Sequence, residues 1–240
     1  MPDLTYTEVT TPRGKPATVA TRPGTSDLSL AGAFFHLWGN IDDEYRLASL
    51  RVDGVFVDIG AHIGLVTLAV LLDNPKATAI CVEPLADNLD VLAANMDANG
   101  VAARVRMVAG AIGDGPSVTV PYGYDDSSYA HDNRYIGGLQ SEAANHTSEA
   151  TVPSVTLADL VEMAGGEIDT LKLDCEGCEW QALRSPALAS IRRIIGEWHG
   201  HPLGKKTNGV TTLRRLIGST HLVTDIDNKG GTGVFEAVAR

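Results

Sequence analysis

The chain has 240 residues, 44% of them hydrophobic and only 5% aromatic, with 25 glycines and 11 prolines; 19 Lys and Arg against 30 Asp and Glu leave a formal charge of −11. That length fits one large α/β domain or two small ones, able to bury roughly 70% of the unfolded surface, and a charged fraction of 20% excludes an intrinsically disordered chain. The negative excess argues against a general nucleic-acid or anionic-membrane binder, because phosphate contacts need Lys and Arg, and Arg192–Arg193, Lys205–Lys206 and Arg214–Arg215 are isolated pairs.

In chain order, residues 1–30 are polar, with prolines at 2, 12, 16 and 23, and predict an irregular lead-in with one edge strand near 17–21. Residues 30–50 read as helical in pieces, with Phe34, Trp38, Tyr45 and Leu50 as apolar contacts. Residues 1–50 are thus expected to form an N-terminal segment packed on a principal domain spanning 51–240. The run Val55-Phe56-Val57-Asp58-Ile59, ending at Gly60, suits a strand buried on both faces. A helix over 64–72 ends at Asn74-Pro75, a strand covers 77–82, a helix covers 85–99 up to Gly100, and a third strand covers 105–109. A β-like run at 117–121 precedes a polar stretch, 122–150, which is long enough to be a lid or substrate loop. Then follow a helix at 157–163, a strand at 170–173, a helix from 179 to about 184, a strand at 193–197 and a helix at 210–217. Two closing runs, 222–224 and 234–238, read as an antiparallel hairpin.

Alternating strands and helices imply a mostly parallel sheet covered on both faces. Ligands then bind beyond the carboxyl ends of the strands, so the informative loops follow Ile59, Val82, Ala109, Leu173 and Glu197. The first reads Asp58-Ile59-Gly60-Ala61-His62-Ile63-Gly64, a G-x-x-x-G turn that lacks both the dinucleotide G-x-G-x-x-G and a phosphate-loop Lys-Ser/Thr. The second strand ends in Val82-Glu83-Pro84; an acid about 20 residues past a glycine turn is placed to accept from a ribose diol. Asp174, Glu176 and Glu179 cluster in Lys172-Leu173-Asp174-Cys175-Glu176-Gly177-Cys178-Glu179-Trp180. Such a cluster is costly unless it binds something or performs chemistry, although Glu179 is also explained by a helix dipole.

The segments VFVDIGAHIG, CVEP and DTLKLDCEGCEWQAL, followed by a strand ending in Glu197-Trp198-His199, resemble the FkbM-type class of S-adenosylmethionine-dependent methyltransferases. The K-x-D-x-E-G-x-E pattern from Lys172 carries most of the specificity. The resemblance implies a Rossmann-like class I methyltransferase fold: a seven-stranded, mostly parallel sheet with its last strand antiparallel. It also implies methyl transfer, usually to a hydroxyl of a sugar, polyol or secondary metabolite. Carried over to this chain, it assigns Asp58 and Gly60 to the methionine part of the cofactor, Glu83 to the ribose and the turn at Ala111 to the adenine. His62, where the family commonly has Asn, Gly64 and Asp174 complete the expected cofactor set.

A neutral hydroxyl is a poor nucleophile, so a general base is expected. Glu176, Glu197, His199 and His146 are the candidates; Glu197 could instead orient a backbone group, and His199 and His146 could be solvated loop histidines. Spacing does not decide whether Asp174, Glu176 and Glu197 hold a divalent metal such as magnesium. Cys175-x-x-Cys178 has the spacing of a redox pair, which makes a redox or non-catalytic binding protein the alternative of another class; the favoured reading has both cysteines filling small apolar slots. A polyketide, amino-acid or carbamate acceptor is the alternative within methyl transfer. With three cysteines, no apolar stretch near about 20 residues and no signal-like N-terminus, a cytoplasmic protein with a small-molecule or oligosaccharide acceptor is expected, without nucleic-acid or membrane partners. A homodimer through the N-terminal segment is compatible with the sequence.

Overall fold

The computed structural model describes residues 3–35, 45–124, 146–199, 209–226 and 232–240. Twelve strands and six α-helices are found among them. The N-terminal segment forms a hairpin, β1 (Thr5–Thr10) and β2 (Pro16–Thr21), followed by α1 (Asp27–Phe34). The alternating region comprises β3 (Val55–Ile59), α2 (Leu65–Asp73), β4 (Thr78–Glu83), α3 (Ala86–Ala98) and β5 (Val105–Ala109). A small sheet follows, made of β6 (Ala111–Ile112), β7 (Ser117–Tyr124) and β8 (His146–Val155). The chain continues through α4 (Leu157–Met163), β9 (Ile168–Leu173), α5 (Glu179–Ala182), β10 (Ile191–Trp198), α6 (Gly209–Ile217), β11 (His221–Ile226) and β12 (Gly233–Ala239).

The large sheet has the order β11-β12-β10-β9-β3-β4-β5. Strands β10, β9, β3, β4 and β5 run parallel, and β12 alone is antiparallel to its neighbours, inserted between β10 and β11. This is the expected seven-stranded sheet with an antiparallel last strand. Strand order reverses between β3 and β9: successive strands extend one way through β4 and β5 and the other way through β10. The crevice above the ends of β3 and β9 is therefore where such a sheet accepts a ligand.

The continuous apolar strands have a physical cause. Along β3, Phe56 joins one core cluster and Val57 and Ile59 join the other, so successive side chains feed opposite faces. One face is covered by α2, α3 and the N-terminal hairpin, the other by α4, α5 and α6. The hairpin is fastened by two side-chain amides four residues apart, one on α3 and one capping its C-terminus. Asn95 accepts from the Ala20 amide (2.6 Å) and donates to the Ile63 carbonyl (2.8 Å), while Asn99 accepts from the Thr18 amide (2.9 Å) and donates to its carbonyl (2.7 Å). These side chains satisfy a strand edge that would otherwise be open.

Three expectations need correction. The polar stretch 122–150 is not a loop throughout: Tyr124 pairs with His146, so both ends belong to the β7–β8 ladder, and only 125–145 lies outside the described residues. The strands β1 and β8 were missed because their repeats are built from Thr, Ser and Glu rather than apolar residues. Cys175 and Cys178 do not fill apolar slots as free thiols; they form a disulfide, and Cys81 is the free cysteine. Part of the 30–50 region and the tip of the closing hairpin lie outside the described residues. No helix among those described is long and apolar enough to cross a membrane.

Candidate active site

A cavity of about 280 Å³ opens above the β3/β9 reversal. One wall is made by the turn after β3 and the end of β4. Gly60 adopts φ +77°, and a Cβ there would overlap the Asp174 carbonyl oxygen, so only glycine lets the two loops meet. Gly64, at φ +80°, starts α2 as its left-handed N-cap. His62 also has positive φ, 49°, a conformation that Asn and His visit more readily than most residues.

Glu83 is 4% exposed, and its carboxylate accepts from the His62 amide (2.9 Å), the Leu85 amide (3.1 Å) and Asn88 Nδ2 (2.9 Å). A carboxylate offers about four acceptor positions, so capacity remains on the side facing the cavity. Burial pushes the Glu83 carboxyl up, against the opposing effect of these hydrogen bonds. Asn88 is in turn held by Arg22, whose buried guanidinium also binds Asp27 through two nitrogens (2.7 and 2.9 Å). The N-terminal segment is thereby wired to the acid of the cavity.

His62 Nε2 is buried in this wall, 4.0 Å from Asp27 Oδ1, with no hydrogen-bond partner among the described residues. Burial holds the imidazole neutral, its pKa lowered to about 4 despite the nearby Asp27 charge.

Asp58 and Gly64 do not line the cavity, whereas Gly60, His62, Glu83, Ala111, Asp174, Glu176 and Glu197 do. The Asp58 carboxylate is fully buried beneath the floor, accepting from Thr67 Oγ1 (2.7 Å) and pairing with Lys172 Nζ (3.0 Å). Lys172 also donates to the Gly60 carbonyl (3.0 Å), lies 3.7 Å from Asp174 and sits 5.6 Å from the Tyr45 ring centroid. Burial opposes its charge, but Asp58 and Asp174 outweigh burial and keep the ammonium ionised. Tyr45 donates its hydroxyl to Asp174 Oδ2 (2.8 Å).

The other wall carries the acid cluster. Glu179 is fully buried and organises the loop after β9: it accepts from the Cys175 amide (3.1 Å), the Gly177 amide (2.9 Å) and His199 Nδ1 (2.9 Å). Trp180 Nε1 donates to the His199 carbonyl (2.9 Å), so α5 fixes His199 at both backbone and ring. His199 Nε2 then lies 3.3 Å from Glu176 and 3.8 Å from Glu197. Burial alone would lower the His199 pKa, but the bond to Glu179 and the charges of Glu179, Glu176 and Asp174 raise it to about 10. Burial, with Asp174 and Glu179, pushes Glu176 up, and His199 partly offsets the rise. His199 stands behind Glu176 and Glu197 and does not itself line the cavity.

One ligand atom each from Asp174, Glu197 and His199 lie within 4.8 Å of one another, close enough to share a metal ion. His146 opens β8 opposite Tyr124, and its side chain lies outside the described residues. Lys172, Tyr45, Arg22 and Asn88 were not anticipated as site residues. Lys172 alone had a signal, as the first residue of the K-x-D-x-E-G-x-E pattern; the others join the site from far along the chain.

A parallel sheet reversing at β3/β9, with β12 inserted antiparallel between β10 and β11, is the Rossmann-like class I methyltransferase fold. The methyltransferase FkbM domain matches residues 58–225, and the chain belongs to that family, whose chemistry is S-adenosylmethionine-dependent methyl transfer. No curated protein matches the sequence. The chain is similar to M. capricolum TrmK in complex with S-adenosyl-homocysteine (9% identity, 81% of this chain and 66% of that one, TM-score 0.48). It is also similar to TrmN from Thermus thermophilus (14%, 93% and 55%, 0.48), of which it spans about half, and to a conserved hypothetical protein of Streptococcus pyogenes (12%, 78% and 86%, 0.44).

Proposed function

We propose that the chain is an O-methyltransferase acting on a hydroxyl of a saccharide or another hydroxylated small molecule. The observation that carries this reading is that Glu176 and Glu197 line the same cavity as Gly60 and Glu83. A proton acceptor thus faces a nucleoside-sized recess across one short space.

The cofactor fits the residues present: Glu83 keeps acceptor capacity for a ribose diol, and His62 Nε2 is a buried polar atom awaiting a partner. In this reading Ala111 and Ile112 border the adenine, and Gly60 and His62 approach the methionine part. Asp58 acts from below by holding Lys172, which holds the Gly60 carbonyl. When bound, S-adenosylmethionine supplies an already activated methyl group.

The chain's remaining tasks are to orient the acceptor hydroxyl and to take its proton. Glu176 is the proposed base, because it lines the cavity and burial raises its proton affinity. His199, held as an imidazolium, has no free site for that proton; it is a positioning residue for Glu176 and Glu197. The acidity at these strand ends suits a cationic cofactor and a neutral acceptor rather than a polyanion, which argues against nucleic acid.

The test is a screen of saccharide and polyol pools with methyl-labelled cofactor, run with and without magnesium, since Asp174, Glu197 and His199 could also take a divalent cation. Label in an ether-linked methyl, lost by about 100-fold or more in Glu176→Gln, supports the reading. Label only in nitrogen or carbon acceptors, or in RNA, contradicts it.

A further inference from the structure

We propose that Cys175 and Cys178 form a thiol–disulfide exchange site in the cavity wall, open to dithiol reductants, whose closed form holds Glu176 against His199. The two cysteines flank Glu176-Gly177, both line the cavity, and their Cα atoms are 5.5 Å apart. Cys175 is half-buried and Cys178 is 5% exposed, so a reductant entering the cavity meets Cys175 first.

The turn they close is an unusual one. Glu176 has φ 52° and Gly177 has φ 114°, two left-handed residues in succession, the first of which is not glycine. Such a conformation persists only where its surroundings enforce it. Two ties enforce it here: the Glu179 carboxylate, which takes the amides of Cys175 and Gly177, and the disulfide. The carboxylate tie is permanent and the disulfide is reversible. Upstream, the Asp174 amide donates to the Ile59 carbonyl (3.1 Å), which anchors the chain to the sheet before the turn begins. Opening the bridge therefore loosens 175–178 while the Gly60–Glu83 wall stays in place.

The exchange is conventional. A thiolate of the reductant attacks Cys175 Sγ; the sulfur–sulfur bond breaks, and Cys178 leaves as a thiolate that takes up a proton. The reductant's second thiol then attacks the mixed disulfide, forms the reductant's own disulfide and releases Cys175 as a thiol. Two electrons and two protons pass from the dithiol to the pair. Cys81 takes no part: it is fully buried in β4 beside Thr67 Oγ1 (3.3 Å).

The effect on methyl transfer rests on the function proposed above, but the exchange site itself does not, and the experiment separates them. Full-length protein purified in air and the same protein treated with dithiothreitol are compared by native thiol titration, amide hydrogen exchange and calorimetry with S-adenosylhomocysteine. The expected titration is no reactive thiol before reduction and two after it. Exchange across 175–178 should speed about 10-fold or more, with 168–174 unchanged, and Cys175→Ser/Cys178→Ser should show the fast rate in either buffer. S-adenosylhomocysteine should bind both forms within about 3-fold. Two reactive thiols that no oxidant removes, or equal exchange in the two forms, would overturn the proposal. Failure of either form to bind S-adenosylhomocysteine counts against the methyltransferase assignment instead, and the thiol and exchange results still decide this one.

Discussion

The two walls of the cavity solve opposite problems with similar residues. On the β3/β4 side Glu83 takes three neutral donors, among them the backbone amide of His62, whose buried imidazole stays neutral although Asp27 lies 4.0 Å away. On the β9/β10 side Asp174, Glu176, Glu179 and Glu197 crowd around an imidazole held as a cation, His199. One histidine is silenced by burial and the other charged by its neighbours, although both start from the same ordinary value. The comparison shows that the number and closeness of acids, more than burial, decide whether each imidazole carries a charge.

The junction between the walls is the most sensitive point. Gly60→Ala places a Cβ into the Asp174 carbonyl at a left-handed backbone position. It is expected to destabilise the fold by about 4 kcal/mol or more, read as the shift in a urea unfolding midpoint. A wild-type midpoint would show that the two walls do not meet as described.

Lys172→Met tests the floor that both walls share. It leaves Asp58 buried without its cation, and the expected loss is roughly 3 kcal/mol. Lys172→Met/Asp58→Asn should recover part of that loss, whereas additive losses would argue against a paired floor.

How much of this was legible in the sequence follows from distance along the chain. The β3 strand, its glycine turn and the Lys172–Glu179 segment were readable, because parallel strands are short apolar runs ended by glycine or acid and their chemistry is local. The partners were not. Tyr45 reaches Asp174 across 129 residues, and Arg22 reaches Asn88 across 66. No spacing rule connects such pairs. Glu179 was readable as an acid near a helix start, but its work of collecting two loop amides and His199 depends on a turn that only the folded chain forms. The β7–β8 ladder was hidden by its polar residues.

A smaller effect separates the walls by pH. Unfolded His62 takes up a proton near 6.5 that the native chain refuses until about 4, so its contribution to stability is lost as pH falls through that window. Native His199 keeps a proton up to about 10 that the unfolded chain releases near 6.5, so its contribution is lost as pH rises through that range. His62→Asn should flatten the acid limb of a stability–pH curve and His199→Gln the alkaline limb, which isolates both from Glu83 and Glu176. Flattening of the opposite limb would reverse the assignment of the two walls.

The central claim is that cofactor recognition and proton transfer are divided between the walls. Calorimetry with S-adenosylhomocysteine on Glu83→Ala and Glu176→Gln tests it most directly. Glu83→Ala should weaken binding about 10- to 100-fold, and Glu176→Gln should leave it within about 3-fold. Unaltered binding by Glu83→Ala, or an equal loss in Glu176→Gln, would contradict the division.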